Sequence, residues 1–373
     1  MTLFSQNFVI WFINQYIEEL DDIIKLFTLN RYTYYYRFNV RISKQYDSYT
    51  LHNAVSRFNI VHLLYPHKSC TDDLFKYTPN LKSITLSISN IRIDEILRNL
   101  NYIEYIDLSK SSSKLSEHFI KFVPTRWPHV TNIKYLICSK EISTYQICNM
   151  INLKAIDLHN NDIIGTTRCY YLYRDPYNDK NPVFDLRLTQ LTHLILGHNR
   201  QIKDTHLQYF PNLTHLICQH NTYITDTGLT YVKRKLTYLD CGMNKNFTDV
   251  GVSQLEHLTY LNTGHSMISD HGISNLANLK YLYCKSLSNI TLVGISHLPN
   301  LVHLCIYATI ETVTNRTYSI KKSINHLVVL SNLKYVYGAG IVFGKKINKK
   351  LPHIVTSVTK FPEYDILFNQ IVN

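Results

Sequence analysis

Leu191-Thr192-His193-Leu194-Ile195-Leu196-Gly197-His198-Asn199 is the stretch that decides how this chain folds. The phrase Leu-x-x-Leu-x-(Leu or Cys)-x-x-Asn returns from Leu213 to Asn221 and from Leu236 to Asn244. It recurs in shorter form from Leu258, Leu279 and Leu301. Successive starts lie 22, 23, 22, 21 and 22 residues apart, so one structural unit is repeated along the chain. Within the phrase, apolar fourth and sixth positions alternate with polar neighbours, the period-two pattern of a strand with one buried face. The ninth-position Asn suits the turn out of that strand, because its side chain bonds nearby backbone. Parallel stacking of such strands buries an apolar ladder that no single unit could bury alone.

Working outward, weaker versions of the phrase start at Ile60, Leu81, Ile103, Ile133, Leu153 and Leu333, which makes about twelve units. The period breaks in three places, with 30 residues after Ile103, 38 after Leu153 and 32 after Leu301. The longest insertion, 163–182, carries Arg168, Tyr170, Tyr171, Tyr173, Arg174 and Tyr177. Loops of that length are either contact surfaces or disordered segments.

The second half of each strong unit is equally regular: Ile224-Thr-Asp-Thr-Gly-Leu229, Phe247-Thr-Asp-Val-Gly-Val252 and Ile268-Ser-Asp-His-Gly-Ile273. Thr or Ser followed by Asp predicts a helix N-cap, with a short helix on the convex side of the array. This element, together with Cys in the strand, resembles the cysteine-containing leucine-rich repeats typical of F-box/leucine-rich-repeat proteins. The resemblance is specific over 191–306 and looser over 60–190. It implies an α/β leucine-rich-repeat solenoid: a curved parallel sheet over 60–340 with short helices or turns behind it.

Residues 1–40 do not repeat, and 41–59 read as a linker. Apolar residues at helical spacing run through the first segment, among them Phe8, Phe12, Ile17, Leu20, Ile24 and Phe27. The phrase from Asp22 to Tyr34 is similar to the second half of an F-box, although the Leu-Pro opening of that motif is absent. The resemblance implies an apolar helical surface, with Phe8, Val9, Phe12, Ile24 and Phe27 docking a Skp-type adaptor of a cullin ubiquitin ligase. The alternative is a helical cap over the open end of the array. Residues 341–373 read as a C-terminal cap or tail.

The third position of the repeat is the most informative column. In order it reads His62, Ser83, Tyr105, Tyr135, Ala155, His193, His215, Tyr238, Tyr260, Tyr281, His303 and Tyr335. Ten of the twelve are Tyr or His, at a position that should line the concave side of the sheet. Aromatic rings with polar tips are the usual anchors of protein interfaces; equally, neighbouring rings can stack and simply stabilise the sheet. His193, His215, Tyr238, Tyr260, Tyr281, Tyr283 and His303 are therefore the candidate partner-binding residues.

Other chemistry is absent from the pattern. No phosphate loop, His-Glu-x-x-His helix or Gly-x-Ser-x-Gly turn is present, so no enzyme or cofactor is expected. Histidines share the third column and the eighth (His198, His220, His265), but no carboxylate or Cys joins either column to complete a metal site. Cys305, at an outward-facing strand position, has no base beside it. Cys138, Cys218, Cys241 and Cys284 share the inward sixth position, which predicts buried thiols and a reducing, cytoplasmic or nuclear setting. No apolar run reaches the ~18 residues of a membrane span. The net charge of +12 would suit nucleic acid. However, the basic residues are scattered, apart from Lys233-Arg234-Lys235 and the 345–350 stretch, and no nucleic-acid motif accompanies them. The 29 tyrosines are what an AT-rich coding sequence would produce. A protein-binding scaffold is expected, either a ubiquitin-ligase substrate receptor or a plain interaction protein, with a basic nucleic-acid surface as the third reading.

Overall fold

Each repeat phrase contributes one short strand to a parallel ladder, in sequence order. The computed structural model describes residues 39–42, 54, 59–64, 72–85, 100–108, 131–137, 150–159, 188–200, 202–284, 289–306, 325–337 and 347–357. These fall into two compact units. The first holds β1 (Asn39–Ile42), β2 (Asn59–Leu64), β3 (Ser83–Thr85), β4 (Tyr105–Asp107) and β5 (Tyr135–Ile137), each paired in parallel with the next. The second holds β6 (Ala155–Asp157), β7 (His193–Ile195), β8 (His215–Ile217), β9 (Tyr238–Asp240), β10 (Tyr260–Asn262), β11 (Tyr281–Cys284), β12 (His303–Ile306), β13 (Tyr335–Tyr337) and β14 (Val355–Ser357). Its strands also pair in order, all parallel.

The register is that of the repeat. Leu194, Leu216, Leu239, Leu261, Leu282 and Leu304 face one another across β7 to β12. All six are buried, as are the first-position leucines from Leu191 to Leu333. Burying one such side chain stabilises the fold by about 1.5–3 kcal/mol, so the column is the main source of cohesion. The sixth position is filled by Leu196, Cys218, Cys241, Thr263 and Cys284, small enough to sit close to the next strand. The Cys218, Cys241 and Cys284 thiols donate to the carbonyls of Asp240, Asn262 and Cys305 at 3.6, 3.0 and 3.5 Å.

Two strands lie outside the 60–340 span read from the repeats. Neither β1 nor β14 carries the Leu-x-x-Leu phrase, yet Ile42 pairs with Leu63 and Tyr335 with Val355. Each simply uses the hydrogen-bonding edge that its neighbour would otherwise leave open. The ladder of the first unit therefore enters the segments assigned to the N-terminal module and linker, and that of the second enters the segment assigned to the C-terminal tail.

Behind the sheet lie α1 (Asp226–Val232), α2 (Asp249–Val252), α3 (Asp270–Ile273), α4 (Leu292–Ile295) and α5 (Asn325–Val328). The first three begin as the sequence predicts, with the side chains of Thr225, Thr248 and Ser269 accepting from backbone N–H groups two residues on, and Thr291 caps the fourth in the same way. Each of these cap residues is in turn held by an Asp of the preceding unit. Asp204 accepts from the Thr225 backbone N–H and hydroxyl, both at 2.7 Å. Asp226 does the same for Thr248, Asp249 for Ser269 and Asp270 for Thr291.

A second inter-repeat chain runs through the turns. Asn221, buried, donates to the Asn199 carbonyl at 2.6 Å and accepts from Tyr223 and Ile224 N–H at 2.8 and 3.0 Å. Asn244 donates to the Ile224 carbonyl at 3.1 Å. The threonines at the second position add a third chain. Thr192, Thr214, Thr237 and Thr259 each donate a hydroxyl to the second-position carbonyl of the preceding strand, at 3.0–3.2 Å. None of the described helices is long and apolar enough to cross a membrane.

Candidate recognition surface

On β7 to β13, alternate side chains point away from the buried leucines, and the third-position residues form a continuous column of rings. His193 stacks on His215 with centroids 3.9 Å apart and planes 16° from parallel. His215 meets Tyr238 at 5.3 Å, and Tyr238 meets Tyr260 at 3.9 Å. Tyr260 and Tyr281 tilt, at 6.3 Å and 32°. The stack resumes from Tyr281 to His303 at 4.4 Å and from His303 to Tyr335 at 4.6 Å. The cause is the register: parallel strands place third positions side by side about 4.8 Å apart, which suits offset ring stacking.

Stacking changes what the column offers to a partner. Tyr238 and Tyr260 are only 5 % and 8 % exposed, so their ring faces are taken up by stacking, one of the two alternatives the sequence left open. His193, His215, Tyr281, Tyr283, His303 and Tyr335 remain half-buried. At the fifth position Ile195, Ile217 and Asp240 are buried, and so is Cys305 at 1 % exposure. Cys305 was expected to face outward; burial removes it as a nucleophile. Asp240 is fixed by Gln219 Nε2 at 2.6 Å and the Gly242 N–H at 3.2 Å.

The histidines are not simple surface groups. Burial, aided by the neighbouring His215, lowers the His193 pKa to about 3, and burial lowers that of His215 to about 4. Both rings are therefore neutral at neutral pH. The Nδ1 atoms of His193 and His215 lie 2.8 Å from the hydroxyls of Thr192 and Thr214. Those hydroxyls already give their single proton to strand carbonyls, so each imidazole must donate from Nδ1. That leaves Nε2 as an acceptor. His303, its pKa lowered by burial and by Lys334, lies 3.1 Å from the Tyr337 hydroxyl through Nδ1.

In the eighth column, His198 stacks on His220 at 4.6 Å, and His159 meets His198 edge-on at 5.6 Å. Among the described residues, no group of three His, Cys, Asp or Glu side chains could hold a metal ion. The adaptor-docking candidates Phe8, Val9, Phe12, Ile24 and Phe27, and the 163–182 insertion, lie outside the described residues.

An internalin from Listeria monocytogenes is similar to this chain, covering 80 % of it and 79 % of its own length at 20 % identity and a TM-score of 0.50. The fold is a leucine-rich-repeat solenoid. Looser likenesses are found in a chain of the yeast Rad7–Elc1 complex (17 % identity, 78 % of this chain and 83 % of that one, TM-score 0.44) and in the mouse RP105/MD-1 complex (14 % identity, 81 % and 55 %, TM-score 0.47). No protein-family model and no curated protein matches the sequence.

For this solenoid, three features of the candidate surface escaped the sequence reading: how deeply stacking buries Tyr238 and Tyr260, the burial of Cys305, and the neutral His193–His215 pair. The third did have a sequence signal. Thr precedes His at both sites, and that pairing sets the ring orientation.

Proposed function

We propose that this chain is a non-enzymatic protein-recognition scaffold that holds a protein partner against the outward strand face of β7 to β13. The observation that supports this reading is the seven-ring column from His193 to Tyr335, in which Tyr281 and His303 stay half-buried with Tyr283 beside them. Stacking fixes those rings before any partner arrives, so little rotamer freedom is lost on binding. Anchors of this kind commonly contribute about 2 kcal/mol or more each.

The finer reading makes the scaffold a substrate receptor: residues 1–40 would dock a Skp-type adaptor and the solenoid would hold the target. It rests on the F-box-like phrase from Asp22 to Tyr34. A cytoplasmic or nuclear setting is part of the proposal, supported by the buried Cys218 and Cys241 thiols. The deciding experiment is affinity capture from the native cell with the intact chain, with Tyr281→Ala/Tyr283→Ala, and with residues 1–36 deleted. The target should be lost from the Tyr variant and the adaptor from the deletion. A target retained by the Tyr variant would overturn the strand-face reading. Adaptor absent from the intact chain would leave a plain interaction protein.

A further inference from the structure

On the edge from which β8 to β11 set out, away from the ring column, two rows of side chains enclose an open groove of about 470 Å³. One row is the second position of the repeat: Thr214, Thr237 and Thr259, and then Lys280 where a fourth Thr would stand. The other lies just before each strand and holds Lys235, His257 and Asn278, with Arg234 beside Lys235. No carboxylate is among the described lining residues. Arg234, Lys235 and Lys280 are exposed and form no ion pair among the described residues. At the same repeat position in the first unit a cation is paired, Lys134 with Glu104 at 2.9 Å. Among the described residues of this +12 protein, the groove thus gathers three cations that have no carboxylate partner along one shallow, open concavity.

We propose that this groove binds an acidic, extended segment of a protein partner. The dimensions favour a peptide. Four strands at about 4.8 Å spacing make a groove roughly 14 Å long, which spans about four residues of an extended chain. Arg234 and Lys235, just before β9, and Lys280, at the start of β11 two strands further on, have backbones about 10 Å apart, within reach of carboxylates two to four residues apart. Arg234 offers the planar fork that takes a carboxylate with two hydrogen bonds. The Asn278 amide nitrogen donates to the Glu256 carbonyl at 2.9 Å, which leaves its amide oxygen as an acceptor for backbone N–H. Single-stranded nucleic acid is the less suited occupant: it needs aromatic faces for its bases, and the lining has no Tyr, Phe or Trp.

The test uses the full chain and three fluorescein-labelled probes: the hexapeptide Glu-Asp-Glu-Asp-Glu-Asp, its Gln/Asn counterpart, and hexathymidylate. Anisotropy is read at low salt, where surface charge is least screened. The acidic peptide should bind and the neutral one should not. Arg234→Gln with Lys280→Gln should weaken binding by about tenfold or more, equivalent to about 1.4 kcal/mol. Lys203→Gln with Lys245→Gln, equally exposed and equal in charge, should leave it nearly unchanged, and circular dichroism should show all variants folded. Three results would each overturn the proposal: no peptide binding, an equal loss in the control pair, or tighter binding of hexathymidylate with the same groove dependence. Tyr281→Ala should not affect peptide binding, so failure here is distinguishable from failure of the strand-face reading.

Discussion

Asp226 occupies the space where a Cβ on Gly251 would be: built there, that carbon would lie 2.2 Å from the Asp226 Oδ1. The carboxylate cannot easily swing aside, because it holds the Thr248 N–H and hydroxyl of the same unit at 2.9 and 2.5 Å. The relation repeats with Asp204 at Gly228, Asp249 at Gly272 and Asp270 at Gly294. In Ile-Thr-Asp-x-Gly-Leu, then, Asp and Gly belong together across a repeat boundary. One unit supplies the carboxylate, and the next supplies two donors and an absent side chain.

Gly251→Ala should therefore destabilise the protein, although Ala in place of Gly within a helix normally stabilises by about 0.5–1 kcal/mol. In an Asp226→Gly background, where the space is open, the same change should be neutral or stabilising. Urea denaturation of the four proteins of that cycle measures the coupling. An increase in stability on Gly251→Ala alone would show that the carboxylate gives way freely.

Asn221 joins three backbone groups of two units, two of them in buried bonds. Removing the side chain leaves them to be satisfied otherwise, at about 1–3 kcal/mol for an orphaned group. Asn221→Ala should lower the melting temperature sharply. Asn221→Asp, which keeps the acceptor toward Tyr223 and Ile224 but loses the donor to Asn199, should cost less. Equal losses would mean that the donor carries the whole effect.

The twelve strands from β2 to β13 were legible because position four must be apolar in every unit and the period is nearly constant. The strands β1 and β14 were not, since an end strand needs only a free hydrogen-bonding edge and carries no repeat phrase. The Asp–Gly relation was visible as a fixed offset, but its meaning was hidden, because a bond between units has no signature inside one unit. Exposure was the least legible property. Tyr238 and Tyr281 share a column and a residue type, yet their burial differs, because it depends on how closely the next ring stacks.

Thiol reactivity gives an independent check of the buried sixth column. Burial pushes the Cys218 and Cys241 thiols well above their usual pKa, with Asp240 and, for Cys218, Cys241 adding to the effect. Thiolate is the reacting form, so both residues should resist alkylation by iodoacetamide in the folded protein and react fully in denaturant. Peptide mass spectrometry would locate the labels. Labelling of Cys241 under native conditions would mean that the strand face opens locally.

Acid should weaken the solenoid through its stacked histidines. With folded pKa values of about 3 for His193 and about 4 for His215, against 6.5 in the unfolded chain, the unfolded state binds more protons between these limits. Stability must then rise with pH across that window, and it must fall as pH drops from about 6.5 toward 4. Above 6.5 both states hold neutral rings and this pair adds no pH dependence. Each ring contributes a slope of at most about 1.4 kcal/mol per pH unit, reduced because neither is fully shielded from water. Melting temperatures recorded between pH 7.5 and 5 should fall less steeply for His193→Phe/His215→Phe, which keeps a ring stack without a titrating group. At pH 7.5 that variant should melt close to the parent protein. An unchanged slope in the double variant would place the acid sensitivity on other histidines whose pKa burial also lowers, such as His159 or His303.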